Sequence, residues 1–241
     1  GGVGKTTTTV NLAYYLAKKG KKVVVVDLDP QGNASSGLGV NIRELKTSLY
    51  DCLTAGTDPN EVLVETKWKN LSLLPSNTKL AALDTELPAT QRDRVLKLKQ
   101  TLAKIDADIL LIDAPPSLGL LTVNALVASD KVILPVQAEY YALEGLGQLL
   151  ETMQIVRQGL NKTLAVMGIL VTMYDGRTSL GRQVREQLKT HFAKYLFETT
   201  IPRNIKLAEA PSHGKPIGAY DGSCSGAKAY ELLCKEVLKH A

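Results

Sequence analysis

The chain contains 241 residues, of which 44% are hydrophobic and 22% are charged, and it carries a net charge of +5. This length and composition are typical of one large or two small globular domains, and they argue against an intrinsically disordered protein. No apolar run approaches the roughly 18 residues that a membrane-spanning helix needs, and the widely spaced Cys52, Cys224 and Cys234 form no CxxC pair or metal-ligand pattern, which favours a reduced, cytoplasmic setting.

The first seven residues read Gly-Gly-Val-Gly-Lys-Thr-Thr, and a helical pattern over residues 5–19 follows, which Gly20 ends. Glycines let backbone N–H groups surround a phosphate chain, and a helix N-terminus adds positive potential. The segment matches the downstream part of a P-loop, in which Lys5 reaches the β- and γ-phosphates and the Thr6 hydroxyl ligates Mg²⁺. Because a P-loop needs a strand before it, we expect the natural protein to extend upstream of Gly1.

Four short, nearly continuous apolar runs predict strands that are buried on both faces, as in a parallel sheet. They span residues 22–27, 108–113, 131–135 and 164–172. Helical patterns lie between or after them at residues 118–128, 142–157 and 179–192, whereas residues 39–91 are less periodic. The alternation predicts an α/β fold: a single domain over residues 1–241 with a doubly wound, mostly parallel sheet, helices on both faces and its first strand missing from this sequence.

Acidic residues follow two of the predicted strands directly. Asp113 ends one strand, and Asp27 and Asp29 come at the end of another, before a run of turn residues. The carboxyl ends of parallel strands form the edge at which α/β sheets bind ligands. There Asp113 can hold Mg²⁺ directly or through water, and one of the other two acids can orient a water for attack on a γ-phosphate. The structural alternative is that these residues cap helices or form turns.

The positive charge is concentrated in one part of the chain. Residues 157–215 hold ten Lys or Arg and four Asp or Glu, a net charge of +6, so the remainder carries −1. This asymmetry fits either a polyanionic partner or a basic face that is only solvated, and the charge alone does not distinguish the two.

The helix over residues 179–192 carries a second signal for a polyanionic partner. Its apolar residues recur every four positions and are expected to face the core: Leu180, Val184, Leu188 and Phe192. Its basic residues are spaced three and four apart and form a stripe suited to phosphates: Arg182, Arg185 and Lys189.

The sequence resembles the ParA/Soj family of chromosome- and plasmid-partitioning ATPases, within the deviant Walker A, MinD-like group of P-loop proteins. The resemblance spans essentially the whole chain. It is carried by residues 1–7 (GGVGKTT), 27–33 (DLDPQGN), 113–117 (DAPPS), 135–145 (PVQAEYYALEG), 173–178 (MYDGRT) and 201–204 (IPRN). The last three segments separate Soj-like proteins from MinD.

The resemblance implies an ATPase of weak intrinsic activity that binds ATP and Mg²⁺ and forms an ATP-dependent homodimer. It also implies non-specific binding of double-stranded DNA, stimulation by a ParB/Spo0J-type centromere-binding protein, and a cytoplasmic, nucleoid-associated location without a membrane partner. Lys5 and Asp29 are then the catalytic residues, with Asp29 orienting the water, and Thr6 and Asp113 bind the metal. The nucleotide contacts are Gly1, Gly2, Val3, Gly4, Lys5, Thr6, Thr7, Pro202 and Asn204. The DNA contacts are Arg177 and Lys206, the latter at a usual arginine position, together with the basic stripe.

Three other hypotheses remain at this point. A MinD-like membrane-associated positioning ATPase would use the C-terminal helix at residues 227–240 to bind lipid, but the mixed charge of that helix favours packing onto the sheet. A carrier of a metal cluster would need paired cysteines, which the sequence lacks. A protein that binds the nucleotide without hydrolysing it would keep the phosphate loop, and Asp29 would then not orient a water.

Overall fold

The computed structural model describes residues 2–86, 91–139 and 142–240. Gly1, predicted to contact the nucleotide, and residues 140 and 141 of the 135–145 segment lie outside the described residues. The strands are β1 Val23–Asp27, β2 Val64–Glu65, β3 Leu71–Leu74, β4 Ile109–Asp113, β5 Lys131–Gln137 and β6 Ala165–Thr172. The helices are α1 Lys5–Lys18, α2 Asn33–Gly37, α3 Leu49–Thr54, α4 Pro59–Val62, α5 Leu83–Glu86, α6 Gln91–Leu102, α7 Leu120–Ala128, α8 Ala142–Gly159, α9 Ser179–Phe192, α10 Ile205–Glu209, α11 Ile217–Tyr220 and α12 Ser225–His240.

The strands form two sheets in the part of the chain that the structure describes. In the first, the order is β2-β3-β1-β4; β1 pairs in parallel with β3 and β4, and the short β2 pairs antiparallel with β3. In the second, β5 pairs in parallel with β6. The prediction of an α/β fold with a mostly parallel sheet is confirmed. The strand expected upstream of Gly1, and the assignment of the chain to one domain, stay predictions.

Helices cover both faces of the first sheet, as predicted. Successive side chains of a strand point to opposite faces, and the valines of β1 divide accordingly. Val23 and Val25 belong to the apolar cluster that contains α1 and α12, whereas Val24 and Val26 belong to the cluster that contains residues of α3, α6 and α7. All four valines are buried, which explains why β1 is continuously apolar in the sequence.

The C-terminal helix α12 packs against α1, and its buried residues share an apolar cluster with Val23 and Val25 of the sheet. Tyr230, Leu233, Cys234 and Val237 are buried in its interface, and the Tyr230 hydroxyl lies 3.2 Å from the Thr8 hydroxyl of α1. Among the described residues, no helix combines the length and apolarity needed to cross a membrane.

The prediction that Leu180 faces the core is wrong. The bounds of α9 match the prediction, and Val184 and Leu188 are buried, but Leu180 is 42% exposed. The buried position in this turn belongs to Gly181, because the preceding loop folds back under the start of the helix. A Cβ on Gly181 would lie 2.7 Å from the Asp175 carbonyl oxygen. The loop therefore leaves no room for a side chain at position 181, and Leu180, in the first turn of the helix, stays exposed.

Candidate functional site

The glycine-rich loop has the backbone geometry of an anion cradle. Gly2 and Gly4 adopt left-handed conformations, with φ of +83° and +87°, which only glycine adopts without strain. Helix α1 begins directly after Gly4, and no side chain caps its N-terminus. Its first N–H groups therefore have no partner within the helix, and they point toward the loop together with the positive end of the helix dipole. The Thr172 hydroxyl at the end of β6 donates a hydrogen bond of 2.8 Å to the Val3 carbonyl and holds the loop in place.

Thr6 and Asp113 meet at the carboxyl end of β4. The Thr6 hydroxyl donates a hydrogen bond of 2.7 Å to Asp113 Oδ2, and the Thr9 hydroxyl lies 3.4 Å from Asp113 Oδ1. Asp113 is almost completely buried, and burial raises the pKa of its carboxyl to about 7 despite the Thr6 hydrogen bond. A buried carboxylate whose charge is this poorly compensated, next to a hydroxyl oxygen, suits a hard divalent cation such as Mg²⁺.

The other predicted residues lie around the same carboxylate. The negative charges of Asp27 and Asp29 raise the pKa of Asp113, whereas the positive charge of Lys5 lowers it. Asp27 is also the register partner of Asp113 across β1 and β4. The structure thus brings Lys5, Thr6, Asp29 and Asp113 to one edge of the sheet, as the strand-end pattern predicts. Their individual roles stay predictions.

Asp29 is buried at the start of the loop between β1 and α2, where its carboxylate accepts a hydrogen bond of 3.0 Å from the Gln31 N–H. A cavity of about 340 Å³ opens beside it. The cavity lies between the Asp29–Gln31 segment, the 80–81 turn and the loop that follows Asp113, with Pro115, Pro116 and Ser117 on its wall. A reacting group near Asp29 therefore has room to enter from this side.

Some residues of the site are not predicted from the sequence. Thr9 lies one helical turn after Thr6, and this i,i+3 spacing was the signal that could have found it. The sequence offers Asp27 only as an alternative to Asp29, and the structure distinguishes the two, because Asp27 is completely buried. Ser35, Ser76 and Thr172 reach the site through tertiary contacts, and no local pattern marks them.

Asn204 and Pro202, which the resemblance assigns to the nucleotide, lie on the segment before α10. Asn204 caps this helix: its Oδ1 accepts a hydrogen bond of 2.8 Å from the Lys206 N–H, and its Nδ2 donates one of 2.8 Å to the Ser225 hydroxyl. Pro202 forms an isolated parallel bridge with Tyr174, beyond the end of β6. Both contacts are structural, and a nucleotide contact stays a prediction.

The predicted DNA-binding residues have different environments. The Arg177 side chain is 91% exposed and forms a bidentate pair with Asp175, with Nε–Oδ1 and Nη2–Oδ2 distances of 2.9 and 2.8 Å. Lys206 pairs with Glu209 at 2.9 Å and lies over the Tyr220 ring. Arg182 donates to the carbonyls of Gly176 and Arg177, and so braces the preceding loop. On α9, Arg185 is half-buried, whereas Lys189 is exposed. Arg177, Lys189 and Lys206 are exposed, and a DNA contact by any of these residues stays a prediction.

The chain is similar to proteins of known activity over almost its full length. A family model described as an AAA domain matches residues 1–166. The sporulation initiation inhibitor protein Soj of Bacillus subtilis is 50% identical over 238 residues, covering 98% of this chain and 94% of that protein. The chromosome-partitioning ATPase Soj of Treponema pallidum is 50% identical over 240 residues, covering 99% of this chain and 93% of that protein.

Solved structures show the same fold. The cobyrinic acid a,c-diamide synthase of Mycobacterium smegmatis with bound ADP and magnesium superimposes with a TM-score of 0.86 at 36% identity, covering 100% of this chain and 91% of that one. The cell division ATPase MinD of Pyrococcus furiosus superimposes with a TM-score of 0.79 at 26% identity, covering 100% and 95%. With the phosphate loop, the buried Asp113 and relatives at this level of identity, the chain belongs to the Soj/ParA family of chromosome-partitioning ATPases.

Proposed function

We propose that this chain is a DNA-partitioning ATPase: it binds ATP and Mg²⁺, dimerises, binds double-stranded DNA without sequence preference and hydrolyses ATP when a ParB-type partner stimulates it. The observation that carries the proposal is the 2.7 Å contact between Thr6 and Asp113, at the N-terminus of α1 and beside Lys5. The similarity to Soj proteins supports partitioning as the process. We further propose that residues 1–241 act as one P-loop domain and that the protein is nucleoid-associated.

Each residue of the site has a role in this proposal. The backbone N–H groups from Gly2 to Thr6 hold the phosphate oxygens, and the Lys5 ammonium binds the β- and γ-phosphates. Thr6 and Asp113 hold Mg²⁺, which when bound neutralises charge on the phosphate oxygens. Asp29 orients a water for in-line attack, and the cavity beside it gives that water access. In this proposal intrinsic hydrolysis is weak, and the ParB-type partner accelerates it.

DNA binding uses the basic region around α9 and α10. Contacts from arginine and lysine to phosphates do not depend on base sequence, and they release counterions, so the affinity falls steeply with salt. Arg177 follows β6, at the carboxyl end of the strands, which is the edge that also carries Thr6 and Asp113. Nucleotide and DNA sites on one edge suit a protein whose DNA binding depends on ATP.

We expect Arg177→Ala to weaken ATP-dependent DNA binding and to reduce the slope of log affinity against log salt by about 1, since one phosphate contact is lost. Fluorescence anisotropy on two duplexes of unrelated sequence, between roughly 50 and 200 mM salt, measures both quantities. The control is Lys104→Ala, which removes one exposed positive charge before β4, at the opposite edge of the sheet. A DNA affinity that does not depend on salt contradicts the proposal.

We expect Asp175→Asn to tighten DNA binding by roughly 2- to 5-fold, because the Asp175 carboxylate competes with phosphate for Arg177. Hydrogen bonds from Arg177 lower the pKa of Asp175 to about 2, so the competing charge is present throughout the neutral range. Asparagine keeps an oxygen that can accept from the Arg177 N–H, which Oδ1 does at 3.0 Å, so the loop is preserved. In an Arg177→Ala background the gain should disappear; a gain of equal size there would show general electrostatics rather than the pair.

A further inference from the structure

A closed polar network lies beneath the loop that carries Asp29. Its members are Asp27 at the end of β1, Ser35 in α2 and Ser76 after β3, and each of the three has no measurable exposure to solvent. We refer to these three residues as the buried network. None of them carries a role in the proposed chemistry so far.

The buried network holds the main chain of Asp29 on both sides. Asp27 Oδ1 accepts a hydrogen bond of 3.2 Å from the Asp29 N–H, and the Ser76 hydroxyl donates to the Asp29 carbonyl oxygen. Ser35 closes the ring, since its N–H and its hydroxyl both donate to Asp27 Oδ2 at 2.7 Å and its Oγ accepts from the Ser76 N–H at 3.4 Å. The peptide groups on either side of the Asp29 Cα are thus fixed.

The geometry of these contacts favours a positioning role. The buried network contacts only the backbone of Asp29, so the carboxylate stays available to a ligand. It also joins three separate segments, because β1, α2 and the end of β3 each contribute one member. Burying a carboxylate is costly even when it is hydrogen-bonded, and burial raises the pKa of Asp27 to about 6. An apolar residue at position 27 would avoid that cost, but it could not accept the hydrogen bond from the Asp29 N–H.

We propose that Asp27, Ser35 and Ser76 are positioning residues that hold Asp29 in place for the hydrolytic step. The proposal rests on the proposed function, in which Asp29 orients the attacking water. A shift of about 1 Å in a group that aligns reactants can cost on the order of 100-fold in rate. The buried network is therefore expected to affect turnover much more than ATP binding.

The test is steady-state ATP hydrolysis with Mg²⁺ and double-stranded DNA, measured for Ser76→Ala, Ser35→Ala and Asp29→Ala in the purified full chain. We expect Ser76→Ala to lower kcat by about 10- to 100-fold with KM for ATP within about twofold of the wild type. Ser35→Ala keeps the backbone donor to Asp27, so we expect a smaller loss of kcat and a retained fold. In the Asp29→Ala background, Ser76→Ala should cause no further loss.

The matched control is Ser129→Ala. Its hydroxyl also donates to a backbone carbonyl, that of Ala125 at 2.7 Å, but it lies at the end of α7, outside the buried network, and kcat should not change. Thermal melting of every variant separates loss of fold from loss of rate.

The outcomes are distinguishable. If Asp29→Ala lowers kcat while folded Ser76→Ala and Ser35→Ala keep it, the positioning proposal is wrong and the proposed function stands. If Asp29→Ala itself keeps the wild-type kcat, the assignment of Asp29 fails and the positioning proposal fails with it. Equal losses of kcat and of ATP affinity in Ser76→Ala would show a general collapse of the site and would also overturn the proposal.

Discussion

Replacing Lys5 by alanine is expected to lower ATP hydrolysis by about 100- to 1000-fold and to weaken ATP binding, because the variant removes the cation at the β- and γ-phosphates. Lys5 is the first residue of α1, after the left-handed Gly4, so in the proposed site its ammonium and the first N–H groups of the helix bind the same phosphate chain. Phosphate release in single-turnover assays gives the rate, and titration with a fluorescent ATP analogue gives the affinity.

Lys18→Ala is the control for this experiment. Lys18 is exposed in the last turn of the same helix, so the variant removes the same charge far from the loop. We expect at most a small loss of stability, since a cation at a helix C-terminus contributes a few tenths to about 1 kcal/mol. A Lys5→Ala protein that binds and hydrolyses ATP like Lys18→Ala would refute the assignment of the loop as a phosphate site.

The edge of the sheet that carries the site was predictable because each of its parts has a local signal. Strands β1 and β4 are continuous apolar runs in the sequence that end in Asp27 and Asp113, and Asp29 follows two residues after β1. The rule that ligands bind at the carboxyl ends of parallel strands then places these acids together. In the structure Asp27 and Asp113 are register partners, and Thr6 contacts Asp113 across 107 residues of sequence, whereas the roles of these residues stay predictions.

The short strands, the exposure of Leu180 and the contact of Ser76 could not be predicted from the sequence, because they depend on tertiary contacts. Strand β3 has four residues and β2 has two, too few for a periodic pattern to stand out from residues 39–91. Leu180 fits the apolar period of α9 but is exposed, whereas the loop before the helix packs on Gly181. Ser76 resembles any serine after a strand, and only the fold shows that its hydroxyl meets the Asp29 carbonyl.

The buried acids of the site are expected to make the nucleotide-free protein less stable as the pH rises, whereas carboxylates in ion pairs make a protein more stable as the pH rises. Burial raises the pKa of Asp113 from 3.8 to about 7 and that of Asp27 to about 6. Between pH 4 and these values the folded state holds protons that the unfolded state has released. Stability therefore falls as pH rises through this window, and it stays lower above pH 7, where both carboxylates are charged and buried.

The proton on Asp113 should also control the affinity for magnesium, which we expect to rise with pH where the stability falls. A protonated Asp113 cannot ligate a cation. As the pH rises toward 7, we therefore expect Mg²⁺-dependent ATP binding to strengthen by up to about tenfold per pH unit, and above pH 7 we expect it to level off. Isothermal titration of ATP with and without Mg²⁺ at pH 6, 7 and 8 measures this dependence. An affinity difference that stays constant from pH 6 to 8 contradicts it.

Asp113→Asn should separate the two effects. The variant keeps the shape of the side chain and an oxygen that can accept from the Thr6 hydroxyl, but it removes the buried charge. We expect it to melt at a higher temperature than the nucleotide-free wild type at pH 8, and to lose the further rise in melting temperature that Mg²⁺ and ATP give the wild type. Asp106→Asn is the control, because Asp106 is exposed and its hydrogen bond from Lys22 lowers its pKa, so neither effect should appear. If Asp113→Asn melts below the wild type at pH 8, the buried charge does not destabilise the fold; if Mg²⁺ and ATP still raise its melting temperature as in the wild type, Asp113 is not a metal ligand.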